Sequence, residues 1–165
     1  MKTIAVIERM LLLLFIVAGC EPSETRLESN TDSGLGHLVR YGPAKVDVIP
    51  LTEFVAAGND EASSKIKVYV SLLDAFDCQI KNPAVFRFEL YEKVPRSAEP
   101  KGRRILLWPD TDLTDVAKNN EHWNDFLRAY EFNLPFEPKP SQSCILQVTA
   151  LCSDGKRISA DFTLK

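Results

Sequence analysis

CILQVTALCSDGKRISADFTL, residues 144–164, holds two runs in which every second residue is apolar. Cys144, Leu146, Val148, Ala150 and Cys152 alternate with Gln147 and Thr149, and Ile158, Ala160, Phe162 and Leu164 alternate with Ser159, Asp161 and Thr163. Side chains of an extended chain point to opposite faces in turn, so each run is a strand with one greasy and one wet face. The turn between them sets the register. A two-residue Asp154-Gly155 loop would place Cys152 opposite Arg157 and set the apolar residues of one strand against the polar residues of the other. A three-residue loop of Ser153, Asp154 and Gly155, with Gly155 left-handed, pairs Cys152 with Lys156. Ala150 then falls opposite Ile158, Val148 opposite Ala160, Leu146 opposite Phe162 and Cys144 opposite Leu164.

The same period recurs upstream. Ala44, Val46 and Val48 alternate with Lys45 and Asp47. Ile66, Val68, Val70 and Leu72 alternate with Lys65, Lys67, Tyr69 and Ser71. Phe86, Phe88 and Leu90 alternate with Arg87, Glu89 and Tyr91. Tyr130, Phe132, Leu134 and Phe136 alternate with Glu131 and Asn133. A shorter run, Arg104 to Trp108, adds a further strand. Pro135 lies inside its run, which marks an edge strand or one that is ending. Between Trp108 and Tyr130 the period changes: Trp123, Phe126, Leu127 and Tyr130 follow i, i+3, i+4 and i+7 after Asn119 or Asn120 as N-cap. The spacing predicts one short crossover helix there, with a bent strand as the alternative. The expected class is all-β, a two-layer antiparallel sandwich of about seven strands over residues 37–165.

The opening of the chain has a different character. Lys2, Glu8 and Arg9 precede an apolar block, Met10 to Ala18, that ends in Gly19 and Cys20. This is the layout of a secretory signal, and the block is too short for the ~20 apolar residues of a membrane-spanning helix. Val17, Ala18, Gly19 and Cys20 resemble the lipobox of bacterial lipoproteins. That resemblance implies a diacylglycerol on the Cys20 thiol, cleavage of residues 1–19, and a membrane partner reached through the lipid. Glu21, following the cysteine, implies by the family's sorting logic the outer membrane rather than the inner. Residues 20–36 are mostly Glu, Ser, Thr, Asn, Asp and Gly, too polar to offset the entropy of ordering, and read as a flexible tether with a reach of roughly 20 Å.

The domain as a whole resembles small immunoglobulin-like or transthyretin-like sandwich lipoproteins, without a diagnostic motif and with no functional residues carried across. It departs from true immunoglobulin domains. Cys78 lies in a polar turn, Trp108 follows it too late, and Gln142 stands where a tyrosine would form the tyrosine corner.

Composition narrows the function classes. The chain of 165 residues carries a net charge of −3, and the leader contributes +1, so the remaining 146 residues (165 less 19) sit near −4. An acidic surface argues against nucleic acid, whose binding rests on neutralising phosphates. Once Cys20 is acylated, Cys78, Cys144 and Cys152 remain, an odd number. Cys144 and Cys152 on one strand lie roughly 27 Å apart and cannot bridge. Cys78 either pairs with one of them or all three are small hydrophobes.

No catalytic or cofactor constellation stands out. The only histidines are His37 and His122, and no Gly-x-Ser-x-Gly sequence presents a serine to His122. Asp110, Asp112 and Asp115 gather carboxylates as calcium requires, yet without the glycine and distal glutamate of a calcium loop; acids at a helix start serve its dipole equally well. Lys101, Arg103 and Arg104 form a basic knot read as a solvated loop. Tyr41, Tyr69, Tyr91, Trp108 and Trp123 are the aromatics that could make a ligand platform for sugar; Tyr69 and Tyr91, expected on the wet face of neighbouring strands, and Trp108 are the candidates put forward. Trp108 and Trp123 fit a core beneath the crossover better than a platform. The sequence therefore points to a non-enzymatic envelope lipoprotein that binds or scaffolds another envelope protein, with a module for wall or surface polysaccharide as the alternative.

Overall fold

A computed structural model describes residues 41–57, 63–137 and 143–164 of the chain. The leader, Cys20, the tether at 20–36 and His37 lie outside the described residues. The elements run, in order, β1 (Lys45–Val48), β2 (Glu53–Val55), β3 (Lys65–Leu73), β4 (Gln79–Ile80), β5 (Ala84–Lys93), β6 (Lys101–Leu107), β7 (Thr111–Asp112), α1 (Val116–His122), β8 (Trp123–Asn124), β9 (Ala129–Pro135), β10 (Cys144–Cys152) and β11 (Arg157–Leu164).

The strands form two antiparallel sheets. One has the order β1-β3-β9-β8, with β2 and β4 also paired to β3; the other has the order β11-β10-β5-β6, with β7 also paired to β5. The result is an all-β sandwich with one short helix. In a constant-type immunoglobulin domain the fourth strand joins the sheet of the first two. Here β6, fourth of the long strands, pairs instead with β5 in the other sheet.

Alternation in the sequence becomes burial in the structure. Ile66, Val68, Val70 and Leu72 of β3 are wholly buried, as are Phe86, Phe88 and Leu90 of β5 and Leu146, Val148 and Ala150 of β10. They join one core between the sheets. Aromatic rings lock the layers together: Phe132 of β9 lies 5.1 Å from Phe86 and 4.7 Å from Phe88, and Tyr130 lies 5.3 Å from Phe86. Each such ring contributes about 1.5–3 kcal/mol through removal of apolar surface from water.

The β10–β11 hairpin has the expected register, from Cys144 opposite Leu164 to Leu151 opposite Arg157. Its turn is closed by Cys152 N–H donating to Lys156 O at 2.9 Å, and Gly155 sits at φ +80°. Pro135 is the last residue of β9, whose far edge β8 covers only at Ala129 and Tyr130. Four short strands, β2, β4, β7 and β8, have two or three residues each and leave no periodic signal.

The helix is displaced from its expected place. Trp123, Phe126, Leu127 and Tyr130 lie not on a helix but on a hairpin, in which Trp123 pairs with Tyr130 and Asn124 with Ala129. A separation of seven satisfies both a helix face and the cross-strand pair of a four-residue turn, so the pattern could not separate them. The true helix precedes it, capped by Asp115, whose carboxylate accepts Lys118 N–H at 3.0 Å. Asn119 is its only buried residue and Val116 is exposed, so no apolar stripe announces it. The thiols of Cys78, Cys144 and Cys152 are all free; the bridge from Cys78 is not formed, because Cys78 lies exposed in the β3–β4 turn and the other two are buried in β10.

Candidate functional site

The three rings read as a ligand platform are not brought together. Tyr69 belongs to β3 and Tyr91 to β5, strands of different sheets rather than neighbours. Each alternates with core residues, so the two phenols stand on outer faces that look away from each other. Each ring is half-buried and has an ammonium over it: Lys67 Nζ is 5.4 Å from the centre of Tyr69, and Lys101 Nζ is 5.3 Å from that of Tyr91. Trp108 is buried at 7% exposure; its indole donates to Pro135 O at 3.0 Å and meets Phe136 edge-on. It closes the core between β6 and β9. Trp123 packs against the core with its edge to Tyr130.

The basic knot is not a loop: Lys101, Arg103 and Arg104 lie on β6, and it is largely consumed by pairing. Arg104 donates to Glu89 at 2.7 Å, and Lys101 lies 2.9 and 3.0 Å from the two oxygens of Asp161. Arg103 is exposed. Tyr91 completes the array by donating to Glu89 at 3.2 Å; burial, with Glu89 beside it, pushes its pKa up. Lys67 is likewise raised, by its hydrogen bonds to Tyr69 and Glu131.

The three aspartates of the PDTDLTD run go separate ways. Asp110 makes a two-pronged pair with Arg87, at 2.9 Å to Nε and 2.8 Å to Nη2, and this hydrogen bonding holds its carboxyl below the usual range. Asp112 accepts from the amide and hydroxyl of Thr114, which lowers its pKa too. Asp115 caps α1. Their oxygens do not converge on a point, and among the described residues no cluster of acids, histidines or thiols could hold a metal. His122 is a packed ring, 5.1 Å from Phe132, with Nδ1 2.9 Å from Glu131 O. It lines a shallow polar groove of about 330 Å³ with Glu121, Trp123, Asn124, Glu131 and Asn133.

Of the candidate rings only Tyr41 stands well exposed, and what pattern reading missed is that Phe76 and Phe126 join it at one end of the sandwich. Tyr41 and Phe76 line a cleft of about 470 Å³ with Gly42, Pro43, Ala44, Ala75 and Lys156. Phe126, assigned to a helix by its spacing, stands in the β8–β9 turn. That turn is tied to the β3–β4 hairpin, with Arg128 Nη2 donating to Gln79 O at 3.0 Å and Gln79 Nε2 to Leu127 O at 3.5 Å. The available signal was modest: a phenylalanine beside an aspartate in each of two turn sequences, AFDC and NDFLR.

Comparison of the chain with protein-family models, with curated proteins and with solved structures gives no match in any of the three.

Proposed function

We propose that this chain is a lipid-anchored envelope protein, cut before Cys20 and acylated there, whose β-sandwich binds or scaffolds another envelope component without catalysis. The observation that carries the reading is the run Val17-Ala18-Gly19-Cys20 placed directly after the apolar block Met10 to Ala18. Two or three acyl chains make such attachment durable where one would hold only marginally. Glu21 favours the outer membrane over the inner.

The domain supports a binding role through what its reactive groups already do. His122, Asp110, Asp112 and Asp115 are each committed to local hydrogen bonds, and the core is continuous between the sheets. Partner contact falls to the loops at the end away from Tyr41, above all the β5–β6 connection with exposed Val94. The edge of β6 is less suited to strand addition, since the β5–β6 register shifts twice and Lys101, Arg103 and Arg104 line it. The polysaccharide reading required rings sharing a surface, and the separation of Tyr69, Tyr91 and Trp108 gives it no support.

Intact mass of the protein purified from membranes tests the anchor. The expected result is a chain beginning at Cys20 with diacylglycerol attached, and the Cys20→Ser chain is expected to leave the membrane fraction. An unmodified Cys20 amine ends the proposal. Cross-linking followed by pull-down from detergent-solubilised membranes is expected to return a recurrent envelope partner, and repeated failure to find one counts against the scaffolding role.

A further inference from the structure

Tyr41, Phe76 and Phe126 are 70%, 76% and 94% exposed and gather at the end of the sandwich where the chain enters the domain. Neither phenylalanine is on a loose loop. The Asp74 carboxylate accepts the amides of Phe76 at 2.8 Å and Cys78 at 2.9 Å, and Asp77 takes a left-handed φ of 62° beside the ring. In the other turn, Asn124 Oδ1 accepts Leu127 N–H at 3.0 Å and Arg128 sits at φ 50°. Two turns are thus built to hold an aromatic ring out in water, an arrangement that marks a surface meant for apolar contact. Charges of both signs surround them, Lys45 paired with Asp77 at 2.6 Å, Lys81, Arg128 and Lys156 among the bases, Asp125 and Asp154 among the acids.

We propose that this end of the domain docks on the bilayer, with Phe126, Phe76 and Tyr41 seated at the boundary between headgroups and acyl chains. The inference rests on the lipid anchor at Cys20 proposed above. About twenty residues separate Cys20 from Tyr41, and Tyr41 begins the described domain, so an anchor at Cys20 delivers this end to the lipid before any other. Tyrosine favours the interface, and phenylalanine is among the residues that bury at the headgroup–acyl boundary. A tether raises the local concentration of the bilayer so far that a few rings, too weak to recruit a free protein, suffice to orient a held one. Balanced charge around the rings suits a lipid surface better than a strongly charged protein partner. Docking in this pose turns the β5–β6 end outward to the partner.

The test uses the full processed chain in vesicles of phosphatidylethanolamine and phosphatidylglycerol. Cys78 lies in the Phe76 turn and is exposed, while Cys144 and Cys152 are buried, so a hydrophilic maleimide reads that turn alone. The expected result is slow labelling of Cys78 in the parent, several-fold faster labelling in Phe126→Ser, and no labelling of Cys144 or Cys152 in either, which shows both folded. A Phe126→Trp chain is expected to gain fluorescence quenched by lipids brominated on their acyl chains. Equal labelling with no added quenching overturns docking while an acylated intact mass leaves the anchor standing. An unmodified Cys20 overturns the anchor and docking with it. Protection of Cys78 that vanishes on diluting the protein among vesicles assigns the face to a second copy and also overturns docking on lipid.

Discussion

The hydroxyl of Tyr130 in β9 accepts the backbone N–H of Asn82 at 2.9 Å and lies 2.9 Å from the carbonyl of the same residue, 48 positions earlier in the chain. Asn119 of α1 joins them, its Oδ1 3.2 Å from that hydroxyl and its amide donating to Leu113 O at 2.9 Å. One phenol thereby ties the crossover helix and the β4–β5 link to β9. It performs the kind of stapling that the absent tyrosine corner performs in immunoglobulin domains. Burial pushes the Tyr130 pKa up, so the neutral, donating form is kept.

Tyr130→Phe keeps the ring and removes the staple. It leaves the Asn82 amide without its acceptor and is expected to cost about 1–3 kcal/mol. Urea denaturation checks this as a lower midpoint at unchanged slope, and faster amide exchange in Val116–His122 shows that the helix is what loosens.

Gly155→Val tests the hairpin. A Cβ at this position meets nothing within 4 Å, so crowding has no part in the effect and the cost is that of a β-branched residue at φ +80°. The expected loss is about 1–3 kcal/mol, with Gly155→Asn milder because asparagine tolerates the left-handed region. A thermal melt in which valine and asparagine behave alike contradicts this account.

Phe132→Ala opens the junction where Phe86, Phe88 and His122 meet one ring. It is expected to cost about 3–5 kcal/mol, with Phe132→Leu losing less, because the remaining cavity sets the size of the effect. Chemical denaturation of the three chains ranks them.

Asp110 confers an acid-side sensitivity of defined sign. Arg87 holds its folded pKa below the ordinary value of about 3.9, so the unfolded chain binds the proton more readily. The contribution is complete above that ordinary value and is lost as pH falls through the lowered folded one. Carboxyl-detected NMR is expected to show Asp110 titrating below the usual range, and Arg87→Gln to return it upward. The pair is half-exposed, so added salt is expected to shrink the difference.

How far pattern reading reaches is clearest at residues 144–164. There, alternation and a glycine sufficed for strands, faces and register, because a one-residue slip would have exposed a whole apolar set. It failed at Trp123 to Tyr130, where one spacing fits two structures and the deciding groups, Asn124, Arg128 and the Tyr130 hydroxyl, act through the backbone and through distant residues. The helix at Val116–His122 was hidden because it buries only Asn119. Tyr69 and Tyr91 were rightly placed on wet faces but wrongly set side by side, since period 2 specifies a face and not a sheet.

Local order in the chain, then, was enough to determine seven strands, the buried faces of six of them and the register of the last hairpin, because period 2 and turn chemistry act between near neighbours. It also supplied the run from Met10 to Cys20, on which the proposed anchor rests. Only the tertiary structure decided which strands share a sheet and that Tyr41, Phe76 and Phe126 stand exposed at one end. Those outcomes depend on long-range pairing, such as β3 with β9 and β5 with β10, where the partner lies roughly sixty residues away and no local pattern encodes it.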